Sequence, residues 1–332
     1  MFTTLKTLCN ISSVSGREAA IRKKLTELVS PFADEVYTDA LGNLIAKKKG
    51  SAADARNIML CAHMDEIGFL VTFIEDDGFI RVAPVGGINC AAAAFSEVVS
   101  ENGVHGVIVP NGDVKAADYS LDKFYIDIGA KNKKEAEKKV TVGDFFVCRP
   151  ALTRLIGKKV CGRPLDDRIG CAVLLKIAEH FASVTPANNL YYVFSVQEEV
   201  GCRGAKTAAF GIEADFGLVF DVTGTGDVPG AKPMACKVSG GAAIKIKDSS
   251  VICHKDVVDT LISLAKEHKI SHQCEILTYG GTDTSAIQMT AGGAMVGALS
   301  IPTRYIHSST EMLDLADAEA CVSLAVKFIE KI

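Results

Sequence analysis

Tryptophan is absent from the 332 residues, and so are CxxC spacings, an excess of positive charge and any long apolar run. Each absence removes a class of protein. Without tryptophan, a sugar-binding cleft loses the broadest of its usual stacking surfaces. Eleven cysteines are present but scattered (Cys9, Cys61, Cys90, Cys148, Cys161, Cys171, Cys202, Cys236, Cys253, Cys274, Cys321). That scatter indicates neither a thiolate zinc site nor a paired redox motif, and most are expected to be reduced core residues. A formal net charge of -4 offers no footprint for nucleic acid or an anionic membrane surface. No stretch approaches the ~18 apolar residues of a membrane span, and Met1 to Asn10 lacks the basic start and apolar core of a secretory leader. A cytoplasmic chain is the expectation.

A hydrophobic content of 48% is enough for a large packed core. The opening reads as helix, helix, strand, strand: Ser15-Gly16-Arg17-Glu18 resembles a helix start, Ile21, Leu25 and Leu28 follow at helical spacing, and Asn57 to Ala62 is a short apolar strand. From about Gly68 to Cys161 the texture is β, with turns at Asp76-Asp77-Gly78 and Asn102-Gly103 and one helical stretch, Lys133 to Lys139. An α/β rhythm then resumes: a helix from Arg168 to Phe181, a strand from Leu190 to Val196, a strand from Phe216 to Phe220, and a helix from Val257 to Lys266. A strand near Ala294 to Ile301 and a helix from Ala316 to Ile329, with Cys321, Leu324, Ala325 and Phe328 as its core stripe, close the chain. The simplest architecture is one α/β unit built from residues 1–66 and 163–332, interrupted by a β-rich insertion at 67–162.

Five places carry residues suited to hold a cation, and most fall at strand ends, where open α/β sheets place their ligands. His63 ends the first apolar strand in AHMDEIG, with Asp65 two residues on, close enough to fix the ring of a ligating imidazole. Asp166 and Asp167 open a helix in RPLDDRIG, where an acid also serves as a cap. Glu198 and Glu199 follow the run LYYVFSV. Adjacent residues in extended chain point opposite ways, so both can serve one site only if the chain turns there. Asp221 ends GLVFDVT, where an unpaired charge after four apolar residues is costly, and His307 follows a strand in IPTRYIHSSTE. The remaining histidines, His105, His180, His254, His268 and His272, fall in a hairpin or near helices and read as structural. Mixed imidazole and carboxylate donors suit Zn²⁺, Co²⁺ or Mn²⁺, and there are enough of them for two ions that share a bridging carboxylate.

The strings AHMDEIGF, RPLDDRIG, VQEEVGCRGAK, VFDVT, GGTDTSAI and IPTRYIHSSTEM, in this order, resemble the TET-type dimetal aminopeptidases, nearly end to end. The resemblance implies an aminopeptidase-like α/β/α sandwich with an inserted PDZ-like dimerisation domain. It implies that His63 and Asp221 hold one metal, that Glu199 and His307 hold the other, and that Asp166 bridges them. Asp65 would orient His63. Glu198 would be the general base, taking a proton from the water between two ions, Zn or Co with Mn possible. Substrates would be peptides with a free amino terminus, and subunits would form homo-oligomers from dimers up to tetrahedral dodecamers. Asn89 to Phe95 reads NCAAAAF where relatives carry larger and charged residues, and Asn111 to Asp122 also departs. Pro164 and Gln288 depart without touching any ligand position. Two rival enzymes use related groups: a dimetal deacylase or carboxypeptidase on the same metal core, and an endoglucanase, which needs two carboxylates ~5 to 9.5 Å apart across a sugar bond.

Overall fold

The computed structural model describes residues 1–332. Helices α1 (Phe2–Cys9) and α2 (Ala19–Val29) precede strands β1 (Glu35–Thr38), β2 (Leu44–Lys48) and β3 (Asn57–His63). Strands β4 (Gly68–Ile74) and β5 (Ile80–Val85), helix α3 (Cys90–Ala93), strands β6 (Ser96–Ser100), β7 (His105–Pro110) and β8 (Phe124–Asp127), helix α4 (Lys133–Ala136) and strand β9 (Phe145–Cys148) follow. The chain continues through β10 (Ala151–Arg154), β11 (Lys159–Arg163), α5 (Arg168–Phe181), β12 (Asn189–Ser195), α6 (Arg203–Ile212), β13 (Phe216–Thr223) and β14 (Ala242–Lys247). It ends with α7 (Lys255–Glu267), β15 (His272–Ile276), α8 (Asp283–Gln288), β16 (Met295–Arg304), β17 (Glu311–Asp314) and α9 (Leu315–Lys331).

The apolar runs that read as strands form the middle of one large sheet. Strands β12, β3, β13 and β16 are neighbours in that order and all parallel, which near-continuous apolar sequence allows only when both faces are covered. Two glycines show the covering. Gly297 pairs with Leu218, so it faces away from Gly217. A Cβ on Gly217 would strike Ile287 of α8, and one on Gly297 would strike Val257 of α7. Helices therefore lie on both faces, with α5 beneath β3 and β13 and apolar around nearly its whole girth. Antiparallel pairings add β2 and β1 at one edge, β17, β11 and β10 at the other, and β14 beside β16, with β15 parallel to β14.

Strands β4 to β9 close into a six-stranded barrel in the order β4-β5-β8-β7-β6-β9. The barrel has its own interior, including Phe69, Phe124, Ile126 and Phe146, separate from the core of the large sheet. Closure leaves it no free edge.

Several boundaries differ from the sequence expectation. The barrel strands end at Cys148, and the hairpin β10 and β11 is bonded to β17 in the large sheet, although it falls within the expected insertion at 67–162. Local alternation reveals a strand without naming its partner. The helix expected at Lys133 to Lys139 is one turn, Lys133–Ala136, and β13 runs two residues beyond Asp221. The closing helix buries Cys321, Leu324, Ala325 and Phe328, as its stripe requires. No helix is long and apolar enough to cross a membrane.

Candidate metal centre

Five segments bring their polar residues together at the carboxyl ends of the parallel strands. His63 is the last residue of β3, and Asp221 lies near the end of the adjacent β13. Asp166 lies in the loop between β11 and α5, where the Arg163–Pro164 and Asp166–Asp167 peptide bonds are cis. Glu198 and Glu199 follow β12, and His307 lies between β16 and β17. All six line one cavity of about 710 Å³. The turn that the adjacent acids required is present: Gln197 has φ 56, and both carboxylates face the cavity.

Asp166 occupies the centre of this cluster. Its Oδ1 is 3.0 Å from His63 Nε2, and its Oδ2 is 3.3 Å from His307 Nε2. Glu199 Oε2 is 3.2 Å from His307 Nε2, while Asp221 Oδ1 and Glu198 Oε2 are each 3.9 Å from His63 Nε2. Asp65 is fully buried behind His63, its Oδ1 3.5 Å from Nδ1. Its carboxylate also accepts the Ser15 hydroxyl at 2.6 Å and the backbone N–H groups of Glu198 and Glu199 at 3.0 and 3.3 Å. One acid thus ties the histidine to the Glu-Glu loop.

The two acids that open α5 divide the work that sequence alone could not assign. Asp167 is the cap: its Oδ1 accepts the Gly170 N–H at 2.9 Å and its Oδ2 the His63 N–H at 3.2 Å. Asp166 is left free to face the two imidazoles. Three further acids escaped the sequence reading. Glu311 is buried and accepts the N–H groups of Leu165 at 2.6 Å, Asp166 at 3.2 Å and His307 at 3.1 Å, so it sets two of the loops. Glu66 sits with Arg163 and Arg168, and a carboxylate oxygen of Asp283 lies within 4.8 Å of one of Glu198. Glu311 lies inside the string HSSTEM, but nothing local marks it, because its partners are up to 146 positions away. His105, His180, His254, His268 and His272 stay outside the cluster, as expected.

The charge pattern indicates what the cluster is suited to hold. Asp65, Asp166, Asp167, Glu198, Glu199, Asp221 and Asp283 are gathered here, and the only ion-pair partners within 4.0 Å are His63 and His307. Burial raises the pKa of Glu198 and Asp221 well above the carboxylate range, and the neighbouring acids add to it. Burial would lower the histidines, but the carboxylates outweigh it: Asp166 and Asp65 raise His63, and Asp166 and Glu199 push His307 up to about 11. Those same imidazoles, against the burial penalty, hold Asp166 below its usual value. Protons on these groups and divalent cations would therefore compete for the same carboxylates. Imidazole and carboxylate donors at these separations fit one or more divalent ions, and two groups form around His63, one with Asp166 and Glu199, the other with Asp167 and Asp221.

A buried, acid-rich cluster with two histidines at the strand ends of an α/β sheet is the kind of site a hydrolase uses, and its donors could hold divalent cations. Residues 42–324 match the model of the M42 glutamyl aminopeptidase family, and the chain belongs to that family. It is 45% identical over 330 residues to a provisionally named aminopeptidase of Acetivibrio thermocellus, covering 99% of this chain and 98% of that one. Its fold matches an aminopeptidase of the archaeon Desulfurococcus kamchatkensis with a TM-score of 0.95 at 36% identity, over 99% of this chain and 94% of the other. It also matches the Pyrococcus horikoshii TET1 peptidase, described as assembling into a tetrahedron or a large octahedral shell, with a TM-score of 0.90 at 32% identity over 100% and 99% of the two chains. The TET-type resemblance is thereby borne out, and the chain is a peptidase with aminopeptidase relatives.

Proposed function

We propose that this protein is a two-metal aminopeptidase that removes residues from the free amino end of short peptides, with Glu198 as general base. The observation that carries the reading is the divided contact of Asp166, one oxygen toward His63 and the other toward His307. Asp166, facing both histidines, would be shared by the two ions. His63 and Asp221 would complete one ligand set and Glu199 and His307 the other, while Asp65 fixes the His63 ring. Zn²⁺ or Co²⁺, with Mn²⁺ also compatible, would polarise the scissile carbonyl and stabilise the charge that develops on its oxygen.

The chain's own groups supply the rest. Glu198 lies at the cavity wall, 3.9 Å from the nearest imidazole nitrogen, close enough to serve the reacting centre without being a ligand. It takes the proton of the attacking water and delivers a proton to the departing amine. The Asp65 carboxylate holds the Glu198 N–H at 3.0 Å and keeps the base aimed. Thr223, Leu277 and Tyr279 line the same cavity beyond the cluster and offer the walls for a peptide.

Two further parts of the reading concern setting and assembly. The barrel is proposed as a PDZ-like dimerisation unit, and the rest of the chain, including β10 and β11, as the catalytic unit; the two separate cores support that division. Exposed Phe73, Phe95 and Val142 on the barrel support subunit contact, up to a tetrahedral dodecamer. Eleven unpaired cysteines suit a reducing, cytoplasmic setting.

The test is metal content followed by release of leucine, glutamate or lysine from chromogenic amides with free and blocked amino ends, with and without chelator. Cleavage of the free-amine amides alone, lost on chelation, is expected. Cleavage confined to blocked substrates would point to the deacylase or carboxypeptidase rival, and cellulose hydrolysis that survives chelation would point to the endoglucanase. Light scattering that returned only monomers would sink the assembly.

A further inference from the structure

Cys202 belongs to neither proposed ligand set, yet it faces the same cavity. It stands at the amino end of α6 with left-handed backbone, φ 51, and its Sγ donates to Glu198 Oε1 at 3.4 Å. Asp283 completes a triangle: one donor atom each from Glu198, Cys202 and Asp283 lie within 4.8 Å of one another. Asp283 is 1% exposed, and only half of its carboxylate is used. Its Oδ2 accepts the Ser195 hydroxyl at 2.5 Å and the Cys61 thiol at 3.5 Å, while Oδ1 has no hydrogen-bond partner. A buried carboxylate oxygen left without a partner is costly and calls for a proton or a cation.

Charge leaves room for that cation. Two divalent ions would neutralise four of the seven gathered acids, and neither Glu198 nor Asp283 is among their proposed ligands. No lysine or arginine pairs with either carboxylate, and the adjacent Arg203 is turned to Gln197 Oε1 at 3.2 Å. One sulfur and two carboxylate donors favour a thiophilic divalent ion over Mg²⁺ or Ca²⁺.

We infer that Glu198, Cys202 and Asp283 form a third cation site, selective for ions such as Cd²⁺ or Zn²⁺, whose occupation silences the enzyme. On binding, the thiol proton passes to solvent as the metal–sulfur bond forms, and no electron is transferred. The site itself stands on this geometry. Its inhibitory consequence rests on the proposed role of Glu198, because a cation on that carboxylate competes with the proton it must accept.

The experiment adds Cd²⁺ to protein already carrying two equivalents of Zn²⁺ per subunit and follows thiolate-to-metal ultraviolet absorption and amide hydrolysis in parallel. Wild type is compared with Cys202→Ala and Asp283→Asn, each variant's hydrolysis being scaled to its own starting rate. Wild type is expected to gain a thiolate band as hydrolysis falls. Cys202→Ala should lose that band and need about tenfold more Cd²⁺ for half-inhibition, with a smaller displacement for Asp283→Asn. Superimposable absorption titrations of wild type and Cys202→Ala would overturn the site. A wild type that gains the band without losing activity would keep the site and overturn its inhibitory role. If the two-metal protein hydrolyses no amide, the aminopeptidase reading fails while the absorption titration still decides the third site. Should Asp283→Asn fail to fold, Cys202→Ala, at a partly exposed position, still decides it.

Discussion

Two buried ionic clusters lie within a few residues of each other along the chain, and they are built on opposite accounts of charge. At the strand ends, seven acids face two histidines. Just below, Glu66 and Glu311 meet Arg163 and Arg168: Arg168 Nη2 and Arg163 Nε lie 3.6 Å from the two oxygens of Glu66, and Arg163 Nη1 lies 3.9 Å from Glu311. Arg168 also donates to the carbonyls of Leu8 and Ile11 at 3.3 Å. The lower cluster is balanced by its own side chains and explains itself as structure. The upper one is not, and burial without balance is what separates a site from a brace.

The sharpest way to test this contrast is to remove a group from each cluster and read two quantities, turnover and stability. Glu198→Gln keeps size and polarity but cannot accept the proton. Turnover should fall on the order of 10²- to 10⁴-fold while elemental analysis still finds two metals per subunit. An active Glu198→Gln would end the general-base assignment. In the balanced cluster, Arg168→Leu leaves Glu66 buried with Arg163 alone, and urea denaturation should register a loss of roughly 3 to 5 kcal/mol. The double variant Arg168→Leu, Glu66→Leu should recover part of it. If both single variants altered stability alone, the two clusters would be one kind of object.

How much of this was legible beforehand follows the same division. His63, Asp221 and the Glu198-Glu199 pair each end an apolar strand, and a polar residue after such a run stands out with no knowledge of its neighbours. The strands and long helices were readable from the same periodicity. The partition of ligands between two ions came from the family resemblance rather than from any spacing. Local pattern alone could not tell Asp166 from Asp167, since a cap and a cation-facing acid look alike in a helix-opening acid pair, and only the family resemblance singled out Asp166. Glu311 accepts from backbone amides and Asp283 from the Ser195 hydroxyl and the Cys61 thiol, partners mostly far away in sequence that leave no local trace. The end of the β-rich insertion poses a related difficulty: β10 and β11 read locally as strands like those of the barrel, but β11 pairs with β17 and β10 with β11.

A gentler test uses pH. In the cation-free protein, carboxylates raise His63 well above its ordinary value and His307 to about 11. The stability these imidazolium ions contribute is complete below the unfolded histidine value near 6.5 and is lost as pH rises toward 11. Metal binding must displace those protons, so its affinity moves the other way and strengthens with pH. The gain in Tm between chelated and metal-loaded protein should therefore be larger at pH 8 than at pH 6, by a few degrees. An equal gain at both values would remove the argument that protons compete with cations. Arg168→Leu, whose cluster exchanges no protons for metal, should leave that difference intact.

The smallest expected effect comes from the place where the barrel side meets the upper cluster. Gly87, just past β5, lies against the His307 ring: a Cβ there would sit 3.1 Å from Nδ1 and 3.2 Å from Cε1. Those distances are tight rather than impossible, so Gly87→Ala should displace the imidazole by a few tenths of an ångström without unfolding anything. His307 is shared between Asp166 and Glu199, and displacement should loosen one proposed metal position and leave the His63 side unchanged. We expect a fall in kcat/KM of roughly three- to tenfold, partly restored by added metal, with urea stability within about 0.5 kcal/mol of wild type. Loss of stability with unchanged metal affinity would place Gly87 with the brace instead. A side chain that touches the cavity and is shared between two carboxylates can be moved so cheaply and still be felt in the chemistry.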